Sequence, residues 1–494
     1  MDKRPPRLPA RPPAPTVLTA PSPIEADSAE ELLTAEPETP ELETPGHSGS
    51  QRGHLRLVDD IPGSNTDTST AATSGQEDDA ADGSTGRAWR QQRAASRAER
   101  VRQLWAFFEG ANPYTNFWLV LGSAIALSVI GLTFVLSSTS VTGDGDPFTI
   151  VARQAMWAGI GVLGMIFMMY VPTRWMGGIG WAMMLLSGVL LSLVAFTPLG
   201  SDGGGSTNWL QIGPVRGQPS ELAKLALVLW GAAVLAKKGR LVEQFTHWVV
   251  PFVAPGALAV LVLVLAGGDL GTSLIIITVV AALLFAAGVT LRYFIAAGAL
   301  AVVAVGLLMW MTPYRMMRVY AWLGMNCDHS LDPCHQTEMG YYALASGGFW
   351  GVGLGQSRQK WDYIPEVHND FIFTIIGEEL GLLGTLTVLG LFAALSIGIF
   401  RVAFGTDDQF TRLVCIGIIA WLSGQAFINI GMVIGLLPVV GVPLPFISYG
   451  GSALTITLLA VGVVLNFARR QRLQARAPKR RRRGTAKRST LAPR

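Results

Sequence analysis

The chain has 494 residues, of which 50% are apolar and 15% are charged, whereas an ordinary globular chain carries roughly 25% charged residues. This composition excludes a soluble globular fold for most of the chain and predicts an all-α protein that crosses a membrane many times. The formal net charge of +4 conceals two oppositely charged ends.

The amino-terminal tail, residues 1–92, is polar and rich in Pro, Ser, Thr and Gly. The first hundred residues hold half of the chain's 34 acidic residues, and few of them are able to build a core, so we predict a disordered tail. No apolar run follows the early basic residues, as it would in a signal peptide, and the tail is therefore expected to stay in the cytoplasm. Residues 93–116 form a juxtamembrane segment.

From Phe117 onward the sequence contains ten apolar segments, each about as long as a spanning helix of roughly 20 residues. The boundary between the fifth and the sixth is the weakest, because only GGDLG separates them. Lys and Arg concentrate in alternate loops, so the positive-inside rule places those loops and both termini in the cytoplasm. The largest loop, between the seventh and eighth segments, then faces outward. The predicted spans are 117–138, 150–171, 179–197, 219–236, 249–266, 271–287, 293–312, 371–400, 412–436 and 453–467.

The first outward polar stretch is GGGSTNWLQIGPVRGQPSELAK, which begins at Gly203. Pro219 and Glu221 are typical of the first turn of a helix, where exposed backbone amides favour an anion. Arg216 would strengthen an anion site there, and Lys224 lies one turn further into the bilayer. The alternative is a helix start without a ligand, followed by a snorkelling lysine.

Asp269, in GGDLGT, lies between two apolar runs and has no cation near it in the sequence. Either it caps the helix that begins at Leu270, or it pairs with a distant basic residue inside the helix bundle. Both interpretations can hold together.

The largest outward loop contains Cys327 and Cys334 in the sequence CDHSLDPCH. Their spacing favours a small disulfide in an oxidising compartment. Unpaired thiols remain an alternative, and so does a metal site formed with His329 and His335. The third cysteine, Cys415, lies within a predicted span and is expected to be a small buried residue.

The stretch WDYIPEVHNDFIFTIIGEE, residues 361–379, places acidic and polar side chains directly before an apolar segment. Lys360, just before it, and Asp362, Glu366, His368 and Asp370 within it fall inside eleven residues. A carboxylate that is partly desolvated beside a membrane has a raised pKa and could accept a proton from a hydroxyl, while cations stabilise the developing anion. Asp370 is the closest of these to the apolar run. The alternative is that Asp370 only caps the following helix.

Two further features place polar groups at membrane depth. Glu378 and Glu379 lie inside the eighth span, and at least one of them is expected to face a polar interior. The stretch GLLPVVGVPLPFISYGGSALT from Gly435, which includes Ser448, interrupts two apolar runs with Pro and Gly. Such backbone is tolerated in a membrane only where it is buried in protein or lines a cavity, so we predict a site for an amphiphile.

The carboxyl-terminal tail, residues 468–494, has many Arg and Lys residues and no acid. Its run KRRRRGTAKR suits an anionic lipid surface and also fits a cytoplasmic retention signal after a last span. This interpretation is favoured over non-specific nucleic-acid binding, and we expect no nucleic-acid partner.

Four blocks, NWLQIGPVRGQPSELAK, GGDLGT, PEVHNDFIFTIIGEELGLLG and GVPLPFISYGGS, together resemble the SEDS family of bacterial shape, elongation, division and sporulation proteins. The resemblance covers residues 117–470, and the chain length and long tails favour the cell-division branch. It implies a glycosyltransferase domain, residues 117–467, that polymerises lipid II at the outer face of the cytoplasmic membrane, at the division septum. It also implies as partners lipid II, a single-pass class B penicillin-binding transpeptidase and other divisome proteins.

The resemblance implies roles for individual residues. Asp370 matches the family's catalytic acid and is expected to be the general base that deprotonates the GlcNAc 4-hydroxyl of one lipid-linked muropeptide, which attacks the anomeric carbon of another as undecaprenyl diphosphate leaves. Cations, including Arg315 or Arg318, are expected to stabilise that leaving group; no cofactor is certain, and a divalent ion, Mg or Mn, is an open alternative. The residues expected to bind substrate are Arg216, Glu221, Lys224, Asp269, Lys360, Glu366, His368 and Ser448.

The chain departs from the family pattern at two sites. Relatives commonly have Arg before the Trp of the first block, where this chain has Asn208, so Arg216 is the stronger candidate for an anion contact. They also commonly have Q-P-D-L-G-T where this chain has Gly267 and Gly268 before Asp269.

Three other functions remain open: a lipid II flippase, an elongation-type polymerase and a non-catalytic scaffold. A flippase would be expected to carry charges along a path through the membrane midplane, whereas a polymerase needs Asp370 at the outer face.

Overall fold

A computed structural model describes residues 112–139, 147–203, 206–213, 215–310, 313–325, 332–359 and 369–476. The helices in chain order are α1 (Pro113–Thr139), α2 (Pro147–Tyr170), α3 (Thr173–Phe196), α4 (Pro219–Lys238), α5 (Phe245–Ala266), α6 (Leu270–Ala287), α7 (Leu291–Trp310), α8 (Pro313–Leu323), α9 (Asp332–Gly347), α10 (Ile372–Phe404), α11 (Gln409–Val433) and α12 (Gly451–Arg476). The strands, all between α3 and α4, are β1 (Gly200–Gly203), β2 (Ser206–Ile212) and β3 (Val215–Gly217).

Within this described part of the chain, 9 helices are long and apolar enough to cross a membrane, and α7 adds a shorter apolar stretch, Leu291–Leu307. The predicted all-α, multi-pass membrane architecture is confirmed. Each predicted span falls on one of these helices, with small differences at the ends except at the carboxyl end of α12. The weakest predicted boundary, between α5 and α6, is a real break at residues 267–269.

The helices divide into central and peripheral ones. In the most apolar 18-residue stretch of each helix, 83% of the residues are buried in α4 and 72% in α12. In α2 and α3 only 22% are buried. A helix that is apolar on all sides and buried on all sides belongs to the interior of a bundle. Close packing is possible because a Cβ on Gly462 would lie 2.5 Å from the Met165 carbonyl oxygen, so α12 and α2 meet backbone to backbone.

The helix α10 is two helices joined at Gly381. This residue has φ 64° and ψ −159°, a conformation that is essentially restricted to glycine. The sequence predicted one continuous span here, residues 371–400. The break explains how a segment of 33 residues fits a bilayer that roughly 20 helical residues cross.

The stretch before α4 is a small antiparallel sheet rather than the loop that we expected. β2 pairs with β1 on one side and with β3 on the other, with Leu210 opposite both Gly200 and Gly217. The turn between β2 and β3 contains Gly213 at φ 60°. The sheet therefore holds the residues before α4 in one position.

The last helix is longer than predicted. α12 continues to Arg476, beyond the predicted end of the final span at residue 467. The predicted tail and juxtamembrane segment at residues 1–92 and 93–111, together with residues 477–494, lie outside the described residues.

Candidate active site

The segment between α11 and α12, residues 434–450, is irregular backbone inside the helix bundle, and we call it the Pro/Gly segment. Val442, Leu444 and Ile447 are almost completely buried. α1 lies directly against the segment, since a Cβ on Gly131 would be 2.4 Å from the Phe446 carbonyl oxygen. The segment is thus buried in protein, which is one of the two situations in which a membrane protein tolerates such backbone.

Two amide side chains of α11 bind the carbonyl groups of the Pro/Gly segment. Gln425 and Asn429 are one helical turn apart and are 3% and 0% exposed. Gln425 Nε2 donates to the Pro443 carbonyl at 2.8 Å, and Asn429 Nδ2 donates to the Val442 carbonyl at 2.7 Å. These side chains supply the hydrogen bonds that a regular helix would have provided.

Asn429 also holds Asp370. The same Nδ2 atom donates to the backbone carbonyl of Asp370 at 2.8 Å. A fixed backbone carbonyl restricts where the attached side chain lies. The position of the predicted catalytic acid therefore depends on a buried side chain of another helix, far away in the sequence.

The carboxylate of Asp370 lies beside the Pro/Gly segment. A Cβ on Gly441 would be 3.7 Å from Asp370 Oδ2 and 3.7 Å from the guanidinium nitrogen NH1 of Arg318. This nitrogen also donates to the Val439 carbonyl at 3.4 Å. The N-cap position of α10 is occupied by Phe371, and no side chain caps it. The alternative interpretation, in which Asp370 only caps α10, is wrong.

α8 and α9 cover the start of the Pro/Gly segment. Trp322 Nε1 donates to the Gly435 carbonyl at 2.8 Å. The Tyr341 hydroxyl would lie 2.5 Å from a Cβ on Gly435, and burial raises the pKa of Tyr341 above its ordinary value.

Glu221 and Lys224 form a buried ion pair on the other side of Gln425. Their side chains are 2.9 Å apart and are each 2% exposed. Lys224 Nζ donates to Gln425 Oε1 at 2.8 Å, and Trp421 Nε1 donates to the same oxygen at 3.0 Å. Lys224 is thus part of a buried polar network, and the snorkelling alternative is wrong.

Asp269 caps α6, as one of the two interpretations expected. Its Oδ1 accepts from the Thr272 backbone amide at 2.8 Å, and its Oδ2 accepts from the Thr272 hydroxyl at 2.6 Å. Gln218 Nε2 donates to the same carboxylate at 3.2 Å. Since Gln218 immediately precedes α4, Asp269 joins the starts of α4 and α6.

Arg216 lies on β3 at the exposed edge of the sheet. Its guanidinium carbon lies 4.7 Å from the ring centroid of Trp209, close enough for a cation–π interaction. The Gln218 amide, next in the chain after β3, donates to the Ser452 hydroxyl at 3.2 Å. The sheet that carries Arg216 is therefore linked to the first turn of α12.

The two sites that depart from the family pattern, Asn208 and Gly267–Gly268, are in contact. A Cβ on Gly267 would lie 2.5 Å from Asn208 Oδ1, and the Thr207 amide donates to the Gly267 carbonyl at 2.9 Å. Gly268 has φ 78°, which proline cannot adopt. The absence of a side chain at 267 allows β2 to lie directly on the turn before α6.

Glu378 and Glu379 both face the protein interior, as expected for at least one of them. Glu378 accepts from the Ser357 hydroxyl at 2.5 Å and from the Arg358 amide at 3.0 Å. Glu379 accepts from the Ser137 hydroxyl of α1 at 2.6 Å. The Glu378 carboxylate therefore holds the described end of the loop that leads to the site, and the Glu379 carboxylate links α10 to α1.

Ser448 is buried, and its hydroxyl accepts from the Leu444 amide at 2.7 Å, which closes a turn inside the Pro/Gly segment. Lys360, Glu366 and His368, predicted as substrate-binding residues, lie outside the described residues. The guanidinium of Arg318 lies beside Gly441, as the Asp370 carboxylate does. Among the described residues, no three His, Cys, Asp or Glu side chains lie close enough together to hold a metal ion.

Cys334 is disulfide-bonded, whereas Cys415 is a free, buried thiol. Cys327, the predicted partner of Cys334, lies outside the described residues, so their pairing stays a prediction. The expectation that Cys415 is a small buried residue is confirmed.

Sequence reasoning missed Gln425 and Asn429, which lie within a segment that we interpreted only as an apolar span. The available signal was the spacing of two amide residues by one turn within a membrane helix, where polar side chains mark interior contacts. What they contact is not visible in the sequence.

Comparison with known families gives a match over most of the membrane domain. The profile of the FtsW, RodA and SpoVE proteins, described as cell cycle proteins, matches residues 114–473. A probable peptidoglycan glycosyltransferase FtsW of Mycobacterium tuberculosis is 38% identical over 73% of this chain and 69% of the relative. Stage V sporulation protein E of Bacillus subtilis is 37% identical over 70% of this chain and 95% of the relative.

Two solved structures share this fold. One chain belongs to a peptidoglycan synthase complex described as coordinating polymerization and crosslinking; it is 27% identical, covers 72% of this chain and 98% of its own length, and has a TM-score of 0.59. The other is the rod shape determining protein RodA of Thermus thermophilus, 27% identical over 72% of this chain and 97% of its own length, with a TM-score of 0.54.

Proposed function

Since the chain belongs to the FtsW, RodA and SpoVE family of cell cycle proteins, we propose that this peptidoglycan glycosyltransferase polymerises lipid II into glycan strands at the outer face of the cytoplasmic membrane during cell division. Relatives named as probable peptidoglycan glycosyltransferases FtsW, at 38% identity, support the activity and the division role. The multi-pass helix bundle supports a lipid-linked substrate.

We assign the general base to Asp370. The observation that carries this assignment is the contrast between its backbone, fixed by Asn429 at 2.8 Å, and its carboxylate, which lies beside Gly441 and Arg318. The carboxylate takes the proton of the GlcNAc 4-hydroxyl. The resulting oxygen attacks the anomeric carbon of the second muropeptide, and the bond from that carbon to the diphosphate oxygen breaks.

The leaving undecaprenyl diphosphate carries the negative charge that develops in this step, and positioned cations lower the energy of such a transition state. Arg318, which like the Asp370 carboxylate lies beside Gly441, is the described cation best placed for this role, and Arg216 on the sheet is the second. We propose that Lys360, Glu366 and His368, which precede Asp370 in the sequence, complete the substrate site.

The buried polar network of Glu221, Lys224 and Gln425 supports the Pro/Gly segment beside the site. Lys224 donates to both Glu221 and Gln425, and Gln425 donates to the Pro443 carbonyl. We propose that Glu221, Lys224 and Ser448 contribute to substrate binding indirectly, by holding the Pro/Gly segment in place. Asp269 contributes in the same way by holding the start of α4.

We propose that the chain works with a single-pass class B penicillin-binding transpeptidase, together with other divisome proteins, at the septum and with both termini in the cytoplasm. A structural neighbour that belongs to a complex for polymerization and crosslinking supports a transpeptidase partner.

The test is polymerisation of purified lipid II by the protein with its cognate transpeptidase, with glycan strands separated by length on a gel. Asp370→Asn is expected to lower the rate by about 10²–10⁴-fold, the usual contribution of a general base. Asp407→Asn, at an exposed acid between α10 and α11, is the matched control and should leave the rate unchanged. Native rates with Asp370→Asn would refute the assignment, and lipid II transport without polymerisation would support the flippase alternative.

A further inference from the structure

A cleft far from Asp370 along the chain lies where α1 begins and where α2 and α12 end. It has a volume of about 240 Å³. Its charged wall is one face of the last turns of α12, formed by Arg469, Arg472 and Arg476. The proposed glycosyltransferase reaction uses none of these residues.

Aromatic rings hold the three guanidinium groups in place. The guanidinium carbon of Arg469 lies 4.3 Å from the ring centroid of Tyr170. That of Arg472 lies 4.6 Å from the ring centroid of Tyr114 and 4.7 Å from that of Phe117. Arg476 stacks on Tyr114 at 5.0 Å, and its Nε donates to the Tyr114 hydroxyl. A ring covers the face of a guanidinium and leaves N–H donors along its edge available.

These arginines bring together three like charges on one helical face. Residues spaced by three and four on a helix are neighbours, so the charges repel one another. Across the part of the chain that the structure describes, none of the three forms an ion pair with a carboxylate. An anion in the cleft would relieve this repulsion and accept several charge-assisted hydrogen bonds at once.

The surroundings of the cleft indicate which anion it takes. The side chains of Phe117, Met169 and Leu473 give it an apolar wall. Tyr170 at its edge is 59% exposed, and Trp118 on the next position of α1 is 60% exposed. Exposed aromatic residues at the ends of spanning helices are typical of the level of lipid headgroups.

We propose that this cleft binds the phosphate headgroup of an anionic phospholipid from the surrounding leaflet. The guanidinium edges of Arg469, Arg472 and Arg476 donate to the phosphate oxygens, and the apolar wall contacts the glycerol and the first methylene groups of the acyl chains. A free phosphate would meet the same arginines without the apolar contact. The lipid thereby fixes the end of α12 against α1 and α2.

The test measures lipid retained by the purified full chain. The protein is equilibrated with equal amounts of phosphatidylglycerol and phosphatidylcholine in detergent micelles, and the bound lipids are counted by native mass spectrometry. The double variant Arg469→Gln, Arg472→Gln is compared with Arg470→Gln. Arg470 is the matched control because it lies on the same helix but its guanidinium NH1 donates to the Thr173 hydroxyl at 2.6 Å, outside the cleft lining.

The native chain is expected to retain phosphatidylglycerol in preference to phosphatidylcholine. A basic residue near an anionic lipid contributes about a fivefold gain in affinity, so the double variant should lose about 25-fold, and Arg470→Gln should lose little. Thermal unfolding midpoints in phosphatidylcholine alone establish that the variants fold. If the double variant does not fold, Arg472→Lys, which keeps the charge but loses the planar fork, should still show reduced retention.

Four results would overturn the proposal. They are equal retention of the two lipids by the native chain, an equal loss in Arg470→Gln, displacement of phosphatidylglycerol by inorganic phosphate at the same concentration as the lipid, and displacement by an acidic peptide. The third would identify a site for free phosphate, and the fourth a docking site for a protein.

Discussion

Leucine is nearly the same size as asparagine but has no hydrogen-bond donor. Replacing Asn429 with leucine therefore removes a donor from the interior of the bundle. Asn429 Nδ2 donates at 2.8 Å to the Asp370 carbonyl and at 2.7 Å to the Val442 carbonyl. A buried acceptor that loses its donor costs about 1–3 kcal/mol. The substitution therefore destabilises the folded state by about 2–6 kcal/mol if neither carbonyl finds another donor.

The effect on activity should exceed the effect on the amount of folded protein. When the carbonyl of Asp370 is released, its carboxylate is free to move, and a misplacement of about 1 Å costs on the order of 10²-fold in rate. The loss should appear in kcat, because the substituted side chain supports the proposed base, Asp370, rather than the bound substrate. The assay is lipid II polymerisation as a function of substrate concentration, normalised to the folded fraction.

Asn466 provides a matched control. Its Nδ2 also donates to two buried backbone carbonyls, those of Met168 at 2.9 Å and Val171 at 2.6 Å, and it is 2% exposed. Asn466→Leu should lower the unfolding midpoint by a similar amount and leave kcat per folded molecule unchanged. Equal kcat values for the two variants would refute the positioning role of Asn429.

Three further substitutions test other parts of the site through unfolding in detergent. Gly381→Ala should destabilise the fold by about 3 kcal/mol because it forces a side chain into a conformation reserved for glycine, where the new Cβ would lie 2.4 Å from the Gly351 amide nitrogen. Lys224→Met should cost about 3–5 kcal/mol because it leaves Glu221 buried without its cation, and adding Glu221→Gln should recover much of this loss. Asp269→Ala should cost about 1 kcal/mol through the lost cap of α6.

Each of these three substitutions is compared with a control substitution in the same chain. Gly390→Ala, in the same helix as Gly381 and with nothing within 4 Å of its new Cβ, should be neutral, and equal effects would contradict the strain argument. For Lys224, failure of the second substitution to restore stability would show that charge burial is not the cause. Asp408 caps α11 with the same Thr contacts as Asp269, so Asp408→Ala should lower stability equally while sparing activity.

The sequence predicted the location of the membrane helices well because their length and apolarity are local properties. It also identified the turn at Asp269, where a cap needs only the residues that follow it. It predicted α10 as one continuous span, because a glycine such as Gly381 is compatible with both a helix and a break until the neighbouring loop approaches it. The small sheet was missed because short strands between glycines give a weak pattern.

By itself the sequence determined the class of protein and the helix-length segments, and its motif resemblance predicts the catalytic role of Asp370. The tertiary structure decided which polar groups meet. Asn429 lies on α11 and Asp370 just before α10, yet a single amide joins them, and Lys224 reaches Gln425 from α4. Such contacts follow from the packing of whole helices around the buried Pro/Gly segment, where every polar group needs a partner from another part of the chain.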